Sequence, residues 1–137
     1  VALTASFKNA DLFQCFVSIA GISDIGSLLQ SEFYTRMAET RAMNAARHGD
    51  PVVDRARLEA NSAINHLALI TKPVLLIHGT RDTQVKLDQS KKFYKALRAT
   101  NKQAKYIEIK NGTHYLDEEK NRKRVFKAMD KFLNQHL

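Results

Sequence analysis

Pro73-Val74-Leu75-Leu76-Ile77-His78-Gly79 is the stretch on which the fold turns. Four aliphatic residues between a proline and a glycine are of strand length. With no polar alternation, they suit a strand covered on both faces, as in a parallel sheet. Downstream, Ser90, Phe93, Tyr94 and Leu97 share one face of a helix at three- and four-residue spacing. Tyr106-Ile107-Glu108-Ile109 then alternates as a strand and is closed by Asn111-Gly112. Asp117, Glu118 and Glu119 favour the start of another helix through the macrodipole, and Val125, Met129, Phe132 and Leu133 form its buried stripe. Upstream, residues 13–21 (FQCFVSIAG) predict a strand buried on both faces, after the tail of a helix over residues 1–7 and a turn over residues 9–11. Ser31 predicts the N-cap of a helix carrying Tyr34, Met37, Ala38, Arg41, Ala42 and Ala45, stopped by Gly49-Asp50-Pro51. A short helical stretch is expected over residues 61–70. Strand and helix thus alternate three times. The fold class expected is α/β: a parallel three-stranded sheet flanked by helices, built from right-handed βαβ units.

Composition narrows the functional classes. The chain has 137 residues, 44% hydrophobic and 26% charged, which is one domain's worth of globular sequence. No apolar run approaches the roughly 18 residues of a membrane span. The single cysteine, Cys15, excludes an internal disulfide and a multi-cysteine zinc site; its apolar surroundings predict a buried small hydrophobe. The net charge is +8, and residues 72–137 hold 16 of the 22 basic groups but only 7 of the 14 acidic ones. The densest run, Lys120 to Arg124, follows the acidic triplet on a helix, which predicts a solvated face rather than a nucleic-acid footprint. The alternative class is a non-catalytic basic α/β module that binds an acidic partner.

Chemistry in open parallel sheets gathers at the carboxyl ends of the strands. Two segments are expected there: His78-Gly79-Thr80-Arg81-Asp82-Thr83-Gln84-Val85, and Asn111-Gly112-Thr113-His114-Tyr115. Asp82 and His114 would therefore sit on neighbouring loops. A carboxylate that accepts an imidazole N–H fixes the tautomer and stabilises imidazolium during proton transfer. Acid before histidine is the chain order of α/β-hydrolases. Taken alone, Asp82 also suits a turn or a helix cap. His78 is expected to pack under the acid loop, and His48, His66 and His136 to be surface or packing residues. Arg81 is expected to be solvated or paired. Metal binding by Asp82, His114 and Asp117 has no helical spacing to support it, so no metal and no cofactor are expected.

Together these segments identify a resemblance. The Pro73–Gly79 stretch, with Asp82 and Val85 after it, resembles the acid-bearing segment of prolyl oligopeptidase-like (S9 family) serine peptidases. Gly112-Thr113-His114 resembles their catalytic-histidine loop, and the spacing of 32 residues from Asp82 to His114 fits. Phe16-Val17-Ser18-Ile19-Ala20-Gly21-Ile22-Ser23-Asp24 is similar to the strand that follows their nucleophile. Ala63 departs from the pattern, standing where the family has the proline of a Ser-Pro turn. The resemblance implies the C-terminal part of an α/β-hydrolase catalytic domain, with Asp82 and His114 as two members of a Ser-Asp-His triad. The third is missing here: a nucleophile elbow needs two glycines four apart with serine midway, and no two of Gly21, Gly26, Gly49, Gly79 and Gly112 are so spaced. The expectation is therefore that residues 1–137 are one domain's C-terminal portion, truncated before Val1 and inactive alone. The intact enzyme would act on peptides as a dipeptidyl-peptidase, acylaminoacyl-peptidase or oligopeptidase. An edge left bare by the missing strand would favour self-association or domain swapping.

Overall fold

The computed structural model describes residues 1–137, apart from the side chain of Phe33. Strand β2 (Val74–Gly79) is its axis, and all six residues are buried. It pairs in parallel with β1 (Phe16–Ile19) on one side and β3 (Lys105–Ile109) on the other, in the order β1-β2-β3. Register is tight: Phe16 faces Val74, Ile19 faces Ile77, and Gly79 faces Ile109.

The period of two along β2 divides the core between the two faces of the sheet. Val74 and Leu76 pack with Leu3, Phe16, Phe93, Leu97 and Ala104, beneath α1 (Ala2–Lys8) and α6 (Asp88–Thr100). Leu75 and Ile77 pack with Ile109, Val125 and Phe132, beneath α7 (Glu119–His136). Burying each such side chain contributes about 1.5–3 kcal/mol, which explains why an uninterrupted apolar run lies at the centre. The faces expected for α6 and α7 are the ones buried: Ser90, Phe93 and Leu97 on one, Val125 and Phe132 on the other.

The upstream half differs from expectation in four places. First, β1 is four residues long instead of nine, and its two faces are buried unequally: Phe16 and Ser18 are buried, Val17 is half-buried against the α7 side and Ile19 is 40% exposed. Cys15 is correspondingly only half-buried, packed against the α7 side, though burial still pushes its thiol pKa up. Second, a helix not expected from the sequence, α2 (Ile25–Leu29), follows; its N-cap Asp24 accepts the Ser27 N–H at 2.9 Å. Third, the helix expected from Ser31 is split into α3 (Glu32–Thr35) and α4 (Ala38–His48), with Met37 in extended backbone between them. Ser31 makes no side-chain cap. The stop behaves as read: Gly49 takes φ 104°, and Asp50 accepts the Val52 and Val53 N–H groups, which hold its carboxyl pKa down.

Fourth, the helix expected over residues 61–70 is instead α5 (Arg55–Asn61) followed by the 3₁₀ turns Ala63–Asn65 and Leu67–Leu69. The turn at Ala63 forms without proline. Ser62 is extended before it, and its hydroxyl accepts the Ile25 N–H and donates to the Leu58 carbonyl. Among the described residues no helix is long and apolar enough to cross a membrane.

Candidate active site

Both loops expected to carry chemistry leave the carboxyl edge of the sheet side by side. The first runs from Gly79, the last residue of β2, to α6; the second runs from β3 to α7. They approach until backbone meets backbone: a Cβ on Gly79 would lie 2.3 Å from the Gly112 carbonyl oxygen. The Arg81 N–H donates to that carbonyl at 2.8 Å, the Asn111 N–H donates to Thr80 Oγ1, and the Gln84 amide donates to the Tyr115 hydroxyl. Adjacency of the loops is thus built into main chain and does not rest on their side chains alone.

Asp82 closes its own loop. Its Oδ1 accepts the Gln84 and Val85 N–H groups, each at 2.9 Å, an arrangement short acidic side chains adopt readily in turns. Its Oδ2 accepts the His114 Nδ1–H at 2.8 Å. Because a carboxylate only accepts, the proton of this bond belongs to Nδ1. The Asp82 side chain is 0% exposed and that of His114 29%. A carboxylate so buried is tolerable only because N–H groups surround it.

The histidine loop is braced from α7. Asn111 and Leu116 occupy the left-handed region, at φ 60° and 53°. For a leucine that conformation is costly, and it is held here by packing of Leu116 on the α7 side of the core. Thr113 donates to Asp117, and Arg122 from the first turns of α7 donates to the Leu116 and Asp117 carbonyls.

His114 opens on a cleft of about 430 Å³ whose other walls are residues 1–4, residues 18–22 at and beyond the end of β1, Ile25, Tyr34, Asn61, Gln84 and Val85. The Ser23-Asp24 segment, which joins cleft residues Ile22 and Ile25, is fixed by a buried glutamine. Gln89 Oε1 accepts the Ser23 and Asp24 N–H groups at 2.9 and 2.8 Å, and its amide donates to the Asp24 carbonyl.

The profile of the prolyl oligopeptidase family matches residues 1–137, the whole chain. The protein belongs to the prolyl oligopeptidase family. Among curated relatives, a dipeptidyl aminopeptidase BIII of Pseudoxanthomonas mexicana is 29% identical, over 98% of this chain and 20% of its own length. Two solved family structures superpose closely. A puromycin-hydrolysing peptidase of Mycobacterium tuberculosis is 27% identical with a TM-score of 0.76, covering 98% of this chain and 20% of that one. The acylaminoacyl peptidase of Pyrococcus horikoshii is 25% identical with a TM-score of 0.77, covering 98% and 22%. The chain therefore spans about a fifth of the length of these relatives. Its three parallel strands and helices are the C-terminal part of the α/β-hydrolase fold found in this family.

Of the residues singled out in the sequence, Asp82, His114 and His78 lie together. His48, His66 and His136 lie elsewhere: His66 stacks on Phe7 and bonds the Ala60 carbonyl, and His136 packs on Phe132. Asp117 bonds Thr113 and does not reach Asp82, and among the described residues no cluster suits a metal ion. Sequence reasoning missed Gln89, Ser90 and the contact between Gly79 and Gly112. Of these, the glycines left a trace in the sequence, Gly79 ending β2 and Gly112 lying just past β3, and Ser90 stood on the expected face of its helix though its bond to His78 did not show.

Proposed function

We propose that this chain supplies the acid and the base of a serine peptidase whose nucleophile is contributed by residues preceding Val1. The observation that carries the reading is the Asp82–His114 bond of 2.8 Å, with the carboxylate buried and anchored by two backbone N–H groups. A fixed Nδ1–H leaves Nε2 as the basic lone pair, and among the described residues Nε2 makes no hydrogen bond. The cleft that His114 lines is bordered by residues 1–4, so a segment joined ahead of Val1 would enter beside the base.

In this mechanism the serine hydroxyl gives its proton to His114 Nε2 as its oxygen attacks the scissile carbonyl. The imidazolium, paired with Asp82, passes that proton to the departing amine. Water then repeats the sequence on the acyl-enzyme and regenerates the serine. Peptides are the substrate class supported by the relatives: a dipeptidyl aminopeptidase, an acylaminoacyl peptidase and a puromycin-hydrolysing peptidase. Whether the specificity is of dipeptidyl-peptidase, acylaminoacyl-peptidase or oligopeptidase type depends on the rest of the pocket.

Steady-state hydrolysis of peptide anilides by the full-length protein tests the reading. Asp82→Asn is expected to leave the fold intact and lower kcat by about 10⁴-fold, the size known for the buried acid of chymotrypsin-type triads. His114→Ala is expected to abolish turnover. Near-normal kcat in either folded variant removes both residues from the chemistry.

A further inference from the structure

His78, next to last in β2, is wholly buried, yet both ring nitrogens are engaged. Nε2 lies 2.9 Å from the Val85 carbonyl and 3.3 Å from Asp82 Oδ2, the oxygen that also receives His114. A carbonyl only accepts, so Nε2 carries a proton. Nδ1 lies 2.7 Å from the hydroxyl of Ser90, a buried residue in the first turn of α6; in the neutral ring that hydroxyl donates to it. Val85 is consequently gripped twice, its N–H by Asp82 Oδ1 and its carbonyl by His78.

An imidazole is a poor choice for packing alone. Its neighbours along the strand, Leu75, Leu76 and Ile77, are fully apolar and buried. Taking two ring nitrogens out of water there is costly unless each finds a matched partner. Those partners all belong to the acid loop or to the helix that follows it. The backbone N–H groups on Oδ1 fix one oxygen of Asp82 but leave the carboxylate free to pivot about that anchor. His78 adds a contact at 3.3 Å to Oδ2 and a hydrogen bond to the Val85 carbonyl of the same loop, neither of which depends on His114.

We propose that His78, backed by Ser90, is a positioning residue for Asp82, holding Oδ2 in line with His114 Nδ1. The inference rests on the acyl-transfer reading above. Ser90 on α6 bonds His78 on β2, His78 bonds the Val85 carbonyl with Asp82 Oδ2 3.3 Å from the same nitrogen, and Asp82 bonds His114, so that the four side chains form one polar row running from a helix through the core to the cleft. The row orients the acid before His114 takes up a proton, and it needs no covalent step.

The test uses the full-length protein as a cycle of His78→Leu, Asp82→Asn and the double variant, with His78→Gln as the conservative replacement. A glutamine amide N–H reaches about as far as Nε2. For His78→Leu, kcat is expected to fall by about 10- to 100-fold, in the range for removing an orienting hydrogen-bond partner, with KM nearly unchanged. His78→Gln is expected to restore most of the loss. In the Asp82→Asn background, His78→Leu should cost less than about twofold more, because the two act as a unit. Should His78→Leu not fold, Ser90→Ala replaces it in the cycle, with a smaller loss of the same kind, again in kcat and absent when Asp82 is asparagine. Unchanged kcat in the folded variant overturns the inference. So does an equal loss in both backgrounds, which marks a general packing effect. Normal turnover in Asp82→Asn alone instead overturns the acyl-transfer reading, and the inference with it.

Discussion

A Cβ placed on Gly79 would stand 2.3 Å from the Gly112 carbonyl oxygen and 2.9 Å from that of Thr113, both of them backbone atoms that cannot swing aside. Gly79→Ala therefore pushes the histidine loop away from the acid loop. The expected result is a loss of about 1–3 kcal/mol, as for other overpacked sites, with weakened Asp82–His114 bonding and reduced turnover. Denaturant unfolding of the full-length variant checks it, and an unchanged midpoint would show that the loops are not in register through this contact. At this scale the sequence was partly legible. Asp82 and His114 could be placed because each follows a strand-length run closed by glycine, and His78 could be set beneath the acid loop. The partners of His78 and Gln89 could not. Ser90 looks like any small residue on a helix face, and nothing in a chain of letters says that Gln89 reaches back some 65 residues to the Ser23-Asp24 backbone.

Among the elements, β1 and β3 are the two edge strands of the sheet, and β1 is the one with large apolar side chains exposed at its ends. It pairs with β2 along one side only, and among the described residues its other edge has no strand partner. Ile19 at 40% exposure, with Phe13 at 44% and Leu12 at 75% just before the strand, adds exposed apolar surface at the ends of this strand. Such an edge pairs readily with another chain. The polypeptide of residues 1–137 is accordingly expected to self-associate, with a sedimentation coefficient that rises with concentration. A monomer unchanged up to high micromolar concentration would contradict this. The elements from β2 onward were legible because their buried stripes are long and regular. The segment from α2 to α5 was not, for a physical reason. Its helices are short, and α4 buries only Asn44, so no apolar stripe marks its limits. The nine-residue apolar run around β1 exceeded its strand, which pairs with β2 from Phe16 to Ile19 and ends where Ala20 takes φ 50°.

For the whole molecule, part of the basic excess of the C-terminal half is offset by acidic neighbours. α6 and α7 cover opposite faces of the sheet, and Lys91, Lys92, Lys120 and Lys123 lie against Glu108, Asp88, Glu118 and Glu119. Exposed pairs of this kind contribute little stability but do neutralise their surroundings. The polarity that matters is the one across the sheet: strand ends, glycine contacts and the buried acid all converge on the cleft lined by His114 and residues 1–4. This arrangement supports the central proposal, that the chain brings base and acid to a nucleophile it does not itself contain. Mass spectrometry of the full-length protein after reaction with a fluorophosphonate tests that claim most directly. The account predicts one adduct, on a serine preceding Val1, formed rapidly in the unmodified protein and not measurably in His114→Ala. An adduct on a serine within residues 1–137, or labelling at an undiminished rate without His114, would contradict it.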